Sequence, residues 1–463
     1  MSYQNKTFDE LAVGDEAEIE RLARAEDFYV FAHASGNHNP MHLSAKDGDG
    51  DGKLEAIAPA MWLGSLVSAV LGNVLPGPGT LYRSQRFRFC GKAEAGDTLV
   101  IGVRVTDKGE GRNVRLDTWV KLADGTLVAE GEAEVIAPER KVTLADAHIP
   151  GLTVQRHVHF DALLARARPL PPIPTAVVCP ESPDALEGAL LGARNTLIAP
   201  IMIGCERKIR AVADQIGVDI SPYDLIDVSD PGSAANAAVA MVREGRARAL
   251  MKGHLHTDTL LGAVVKRDSG LRTGRKLSHI FVMDVPGLDH LLMISDAAIN
   301  IAPDLETKAD IVQNAIDLCH ALGIAEPRVA VLSAVETVNP RIPSSIDAAI
   351  LSKMAERGQI RGGHVDGPLA LDNAMSPEAA KTKGLRSLVA GHADVLIAPD
   401  LDAANMMGKE LTFLAHAEAG GVVMGASAPI ILTSRADDDK ARLASCAVAA
   451  LYAHWRETMG AMA

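Results

Sequence analysis

Apolar and polar positions alternate along Ala17–Leu22, Leu81–Phe89, Thr98–Thr106, Val114–Leu122 and Leu127–Ile136. Period two puts every second side chain on one face, so each run predicts a half-buried strand, paired antiparallel with its neighbours. Asp124-Gly125 supplies a hairpin turn between the last two. A helical stretch at Ala25–Ser35 and an uncharged run of 19 residues, Ile57–Leu75, complete this region. The uncharged run has borderline membrane length, yet Pro59, Gly64, Ser65, Ser68, Gly72 and Asn73 interrupt it. A helix apolar on every side is equally suited to the inside of a protein, and that is the expectation here. Residues 1–140 therefore predict one α+β domain in which long antiparallel strands wrap a buried helix.

The rhythm then changes. Pro150, Pro169, Pro171, Pro172 and Pro174 mark residues 141–174 as an expected linker. From Thr175 onward, short runs that are apolar throughout alternate with Ala-rich helical stretches. Such runs are Ala176–Cys179, Ala247–Lys252, Ser278–Asp284, Val329–Ser333, Val395–Pro399 and Pro429–Ser434. Strands without polar alternation are buried on both faces, which predicts a parallel sheet covered by helices over 175–463.

Composition narrows the chemistry. The 463 residues suffice for two or three domains, and 48% hydrophobic with 23% charged is ordinary globular composition. A net charge of −13 and 3% aromatics argue against a nucleic-acid partner, because phosphate backbones need a basic surface. Five scattered cysteines without C-x-x-C spacing read as reduced thiols. The amino-terminal MSYQNKTFDE has no signal-peptide pattern, so a cytoplasmic protein with no membrane partner is expected. The acidic run Asp47-Gly48-Asp49-Gly50-Asp51-Gly52 superficially suggests a calcium loop. Its twelfth position, however, is Ala58 rather than the bidentate Glu that loop needs. No metal-ligand cluster, Walker lysine loop or dinucleotide glycine fingerprint is present.

Ser35-Gly36-Asn37-His38-Asn39-Pro40-Met41-His42 resembles the S-G-D-x-N-P-φ-H hydratase motif of MaoC-like proteins, which have the hot-dog fold. The resemblance implies a thioester-binding cleft and a catalytic pair at positions 37 and 42. His42 matches, but Asn37 stands where the family carries Asp, and an amide cannot act as a carboxylate base. The family's A-H-G-M segment reads here as Ala58-Pro59-Ala60-Met61, and Pro59 removes one backbone N–H from the group that binds the thioester carbonyl. Enoyl-CoA hydration, or a non-catalytic acyl-CoA-binding or dimerisation module, are both compatible with these departures.

Two longer segments resemble the phosphate acetyl/butyryltransferases: Val331–Ser376, which contains VDGPLALDNA, and Ala428–Arg442, which contains ILTSRADDDK. Met251–Val265, Leu277–Gly287 and Ser295–Ala315 follow the same pattern, so the resemblance covers roughly 160 to 460. It implies a two-subdomain α/β fold of the isocitrate/isopropylmalate dehydrogenase type. The reaction it implies is acyl-CoA plus phosphate giving acyl phosphate plus CoA, with both as substrates and no cofactor required. It also implies that Arg435 binds phosphate bidentately, Ser434 stabilises the transition state, and one of Asp437, Asp438 and Asp439 acts on the CoA thiol, an ungapped count favouring Asp439. Ser333, with Glu336, is a second strand-end candidate, and Asp372 and Asn373 are candidates for orienting the acyl or pantetheine part. Lys252, His254, Arg272 and Arg275 are candidate phosphate contacts, and Asn405 and Lys409 match the family's N-x-x-x-K segment. A homodimer or higher homo-oligomer is expected. A wholly non-enzymatic acyl-CoA sensor would require the Ser434-Arg435 site to be inert.

Overall fold

The computed structural model describes residues 3–43, 56–144, 154, 157–432 and 438–462, the last four without their side chains. Two compact units divide at Val154/Gln155.

In the amino-terminal unit five strands form one antiparallel sheet. Their order is Glu16–Leu22, Thr98–Lys108, Asn113–Leu122, Leu127–Ile136, Leu81–Phe89. The alternation decides which face is buried: Leu99, Ile101, Val103 and Val105 point inward from one strand, Val114, Leu116 and Val120 from the next. Against them lies the helix Ala60–Asn73, which buries Trp62, Leu63, Val67, Val70 and Leu71. Gly64 is needed on that helix, because a Cβ there would come within 2.9 Å of the Phe87 ring. The hot-dog plan expected for residues 1–140 is therefore present. Among the described residues no helix is long and apolar enough to cross a membrane. The Asp47–Gly52 run lies outside the described residues.

The carboxy-terminal unit holds an eleven-stranded sheet. One half is parallel, in the order Leu225–Asp227, Ile198–Gly204, Ile173–Val178, Ala249–Lys252, Ile430–Ile431. Leu292–Ser295, Val395–Ile397, Arg328–Leu332 and His364–Leu369 form the other parallel half. Glu418–Met424 and Ser278–Asp284 join the halves by antiparallel pairing. The expected parallel sheet is thus a mixed one. A run apolar throughout reports burial on both faces and carries no information about strand direction, so Ser278–Asp284 was expected as a strand but not as an antiparallel one, and Glu418–Met424 was not expected.

The expected linker 141–174 also needs correction. Val158–Ala167 is a helix whose Phe160, Leu163 and Ala167 are buried in the carboxy-terminal core. Its apolar spacing at i, i+3 and i+7 is helical, and four of the five prolines that suggested a linker come only from Pro169 onward, just past its end.

Candidate active site

A cavity of about 670 Å³ in the carboxy-terminal unit is built from elements far apart in the sequence. Asn405, Gly408, Lys409, Thr412 and Phe413 share one face of the helix Leu401–Leu414 by their three- and four-residue spacing. His279 and Phe281 come from one side of the central strand Ser278–Asp284, and Ala417, Ala419 and Gly421 from the adjacent Glu418–Met424 region. Lys252 ends the strand Ala249–Lys252. Leu432 follows the strand Ile430–Ile431, and Asp438 precedes the helix Asp439–Met462.

Ser434 and Arg435 lie outside the described residues, as does Asp437. Both described ends of that short segment, Leu432 and Asp438, line the cavity. Asp438 Oδ1 accepts a hydrogen bond from Ala441 N at 2.9 Å, capping the long helix. Asp439, favoured by the sequence count, is 75% exposed, sits 3.5 Å from Arg442 and is not part of the cavity lining. A one-residue shift into the first helical turn turns the side chain outward, a detail no count along the sequence carries.

Of the cationic and amide candidates, Lys252, Asn405 and Lys409 are brought together here. Asn405 Nδ2 donates to Ala297 O at 3.0 Å, which fixes the amide on the cavity wall. His254, Arg272 and Arg275 do not line the cavity. His254 and Arg272 are exposed, and Arg275 is paired with Asp317. Ser333 and the Asp372-Asn373 pair form a separate group at adjoining strand ends, where Ser333 N donates to Leu369 O at 2.9 Å. There Ser333 Oγ lies 3.0 Å from Ser344 Oγ, Lys383 pairs with Glu336 at 3.0 Å, and the buried Asn373 amide has no partner.

Sequence reasoning passed over His279, although it stands inside the quoted Leu277–Gly287 segment. It is 4% exposed, and burial depresses its pKa from 6.5 to about 4 against an opposing pull from Asp296. Its N–H donates to Asp296 Oδ1 at 3.0 Å, and its imidazole Nδ1 is buried without a partner. Nothing in the residue type distinguishes such a histidine from a core histidine, so only its surroundings could reveal it. Glu418 is on the wall as well, but it is engaged by His157 at 3.0 Å and Lys440 at 2.9 Å. That hydrogen bond raises the Lys440 pKa. Among the described residues no cluster of His, Cys, Asp and Glu is suited to a metal ion.

In the amino-terminal unit His42 ends the short helical turn Pro40–His42 and is buried. Its Nδ1 lies 2.8 Å from Ile57 O. A carbonyl only accepts, so Nδ1 is the donor in that contact and Nε2 takes no part in it. Asn37 is exposed, and its Oδ1 accepts from Asn39 N at 3.3 Å rather than engaging His42.

Comparison with known proteins follows this division. A family model described as phosphate acetyl/butaryl transferase matches residues 228–450, and one described as MaoC like domain matches residues 12–125. The phosphate acetyltransferase of Rhizobium meliloti is 58% identical over 294 residues, spanning 64% of this chain and 93% of that protein. The phosphate butyryltransferase of Clostridium beijerinckii is 44% identical over 295 residues, 64% of this chain and 98% of its own length. A crystal structure of a branched-chain phosphotransacylase from Enterococcus faecalis superposes with a TM-score of 0.54 at 30% identity, covering 61% of this chain and 99% of that one.

Proposed function

Because the chain belongs to the phosphate acetyl/butyryltransferase family and carries a MaoC-like domain ahead of it, we propose that its carboxy-terminal unit transfers a short acyl group between CoA and inorganic phosphate in the 670 Å³ cavity. The observation that carries the reading is the convergence of Leu432 and Asp438, which bracket Ser434-Arg435, with Lys252, Asn405 and Lys409 in one cavity.

The chemistry suits those residue types. A phosphate oxygen attacks the thioester carbonyl, an oxyanion forms, and the C–S bond breaks as the acyl phosphate forms. Arg435 offers two parallel N–H donors to the phosphate, and Lys252 and Lys409 offset its charge. Ser434 donates to the charge that develops in the transition state. Asp438, on the wall, is the carboxylate that handles the thiol proton, in preference to Asp439. The two parallel half-sheets are the two subdomains of an isocitrate/isopropylmalate dehydrogenase type of fold, and the protein works as a homo-oligomer. No metal is required. Phosphate-dependent release of CoA from acetyl-, propionyl- or butyryl-CoA tests this; a folded protein that turns over none of them refutes it.

For the MaoC-like unit the reading is acyl-CoA binding with attenuated hydration. The buried His42, whose Nε2 takes no part in the Ile57 contact, supports the first part, and Asn37 in place of a carboxylate supports the second.

A further inference from the structure

The reading above leaves a buried histidine on the cavity wall unused. His279 stands in the central strand with only 4% of its surface exposed, and it lines the cavity. Its position is held on every side. Its backbone N–H donates to Asp296 Oδ1 at 3.0 Å, and its carbonyl accepts from Ser295 Oγ at 2.9 Å. The Phe281 ring meets the imidazole edge-to-face, with centroids 4.7 Å apart. Phe281 in turn fits because Gly408 has no side chain; a Cβ there would lie 2.8 Å from the ring. The ring nitrogen Nε2 occupies the space that a Cβ of Gly421 would need, at 2.8 Å. Two glycines, both on the cavity wall, thus leave room for this pair of rings.

A buried polar side chain normally has partners, and an orphan is costly unless something else satisfies it. Nδ1 is buried with none. An unpaired N–H is rarer in proteins than an under-used acceptor, so the proton belongs on Nε2, beside Gly421.

Resting on the acyl-transfer reading, we propose that His279 is a catalytic hydrogen-bond donor, its Nε2–H binding the acyl carbonyl oxygen and the oxyanion that succeeds it. As the phosphate oxygen bonds to carbon, the carbonyl π pair moves onto oxygen and Nε2–H tightens onto it. On collapse that pair re-forms the carbonyl, the C–S pair leaves with sulfur, and the proton of hydrogen phosphate ends on the thiol. His279 keeps its own proton throughout. Burial suits this role, since an imidazole held neutral donates without surrendering its proton and is a poor base for a thiol.

Three variants of the full chain test this. His279→Phe keeps a ring in the same space, His279→Gln puts an amide N–H where Nε2–H stood, and His279→Asn puts one at the Nδ1 position. Loss of an oxyanion donor should lower kcat of the Phe variant by on the order of 10²-fold, with KM for phosphate changed by less than about threefold. Gln should recover at least roughly a tenth of parental kcat and Asn should not, a split that a purely structural role would not produce. Parental kcat in the Phe variant, or equal recovery by Asn and Gln, overturns the assignment. If the Phe variant does not fold, the Asn-against-Gln comparison decides alone. A parent that transfers no acyl group to phosphate overturns the transfer reading, and this inference falls with it.

Discussion

The helix Val158–Ala167 should be indispensable to the carboxy-terminal unit even though it lies in a stretch that reads as linker. Deleting it amounts to comparing a fragment 155–463 with a fragment 170–463, both of which retain the strand Ile173–Val178. Phe160 and Leu163 are only 3% and 2% exposed. Burial of two such side chains is worth about 2–3 kcal/mol each, or about 5 kcal/mol together. The loss does not end there. Phe160 N donates to Asp284 Oδ2 at 2.8 Å, and Asp284 Oδ1 is buried without a partner. Removing the helix strips that hydrogen bond from the carboxylate, adding to the cost. Arg166 also donates to Leu322 O at 2.5 Å across the same contact. A unit of this size shifts its midpoint by roughly 2–4 °C per kcal/mol, so the shorter fragment should melt roughly 10–20 °C lower or fail to fold. Differential scanning calorimetry of both fragments measures this, with Phe160→Ala in the full chain as a milder control expected to cost about 3 kcal/mol. Midpoints within about 3 °C of each other would refute the reasoning, since that gap corresponds to only about 1 kcal/mol.

Arg435→Ala should lower kcat/KM for phosphate by on the order of 10²-fold, and Arg435→Lys should recover little because an ammonium lacks the two-pronged fork; steady-state kinetics at varied phosphate checks both. His279 should lend an acid-sensitive component to stability. Its folded pKa of about 4 lies below the ordinary 6.5, so the unfolded state binds more protons in between. Stability therefore falls as pH drops through that window, by about 3 kcal/mol near pH 4, and denaturant midpoints of His279→Phe should lack this part of the decline. Asn37→Asp should raise hydration of crotonyl-CoA, within an upper range of about 10²–10⁴-fold for a restored base, while acyl transfer stays unchanged.

The amino-terminal fold was legible because its strands have one wet face. Alternation in Thr98–Lys108 and Asn113–Leu122 encodes burial residue by residue, and the structure follows it. In the carboxy-terminal unit the strands are dry on both faces, so six of the eleven were named from their apolar runs and none by its direction. Glu418–Met424 was missed altogether: its EAGGVVM sequence opens with a charge and carries two glycines, which argue against a strand. Those glycines are explained only by what lies across from them, Gly420 facing the Ala444–Ser445 backbone and Gly421 the His279 ring. The site divides the same way. Lys252, Asn405 and Lys409 come from segments more than 150 residues apart, and long motifs found them. Arg275 was an equal candidate by charge, yet Asp317 engages it, a pairing that depends on the fold and not on the neighbouring sequence.

The two departures of the MaoC-like unit from its family act on one step from opposite sides. In the hydration that the family motif implies, Asn37 would withhold the carboxylate that activates water, and Pro59 an amide from the thioester carbonyl. The neighbouring amide is also committed: Ala58 N donates to Ala93 O at 2.7 Å, anchoring the entry to the buried helix. Carbonyl polarisation must then rely on the first amides of the helix itself, those of Ala60 and Met61, whose positive dipole end favours a developing oxyanion. His42 is unaffected by either change, because its Nδ1 contact runs to Ile57 O and leaves Nε2 available. On the proposed reading, binding and one proton-transfer group would survive while water activation and part of the carbonyl contact would not. Restoring the carboxylate alone addresses only the first deficit, so the gain from Asn37→Asp should fall short of the full range set by a general base.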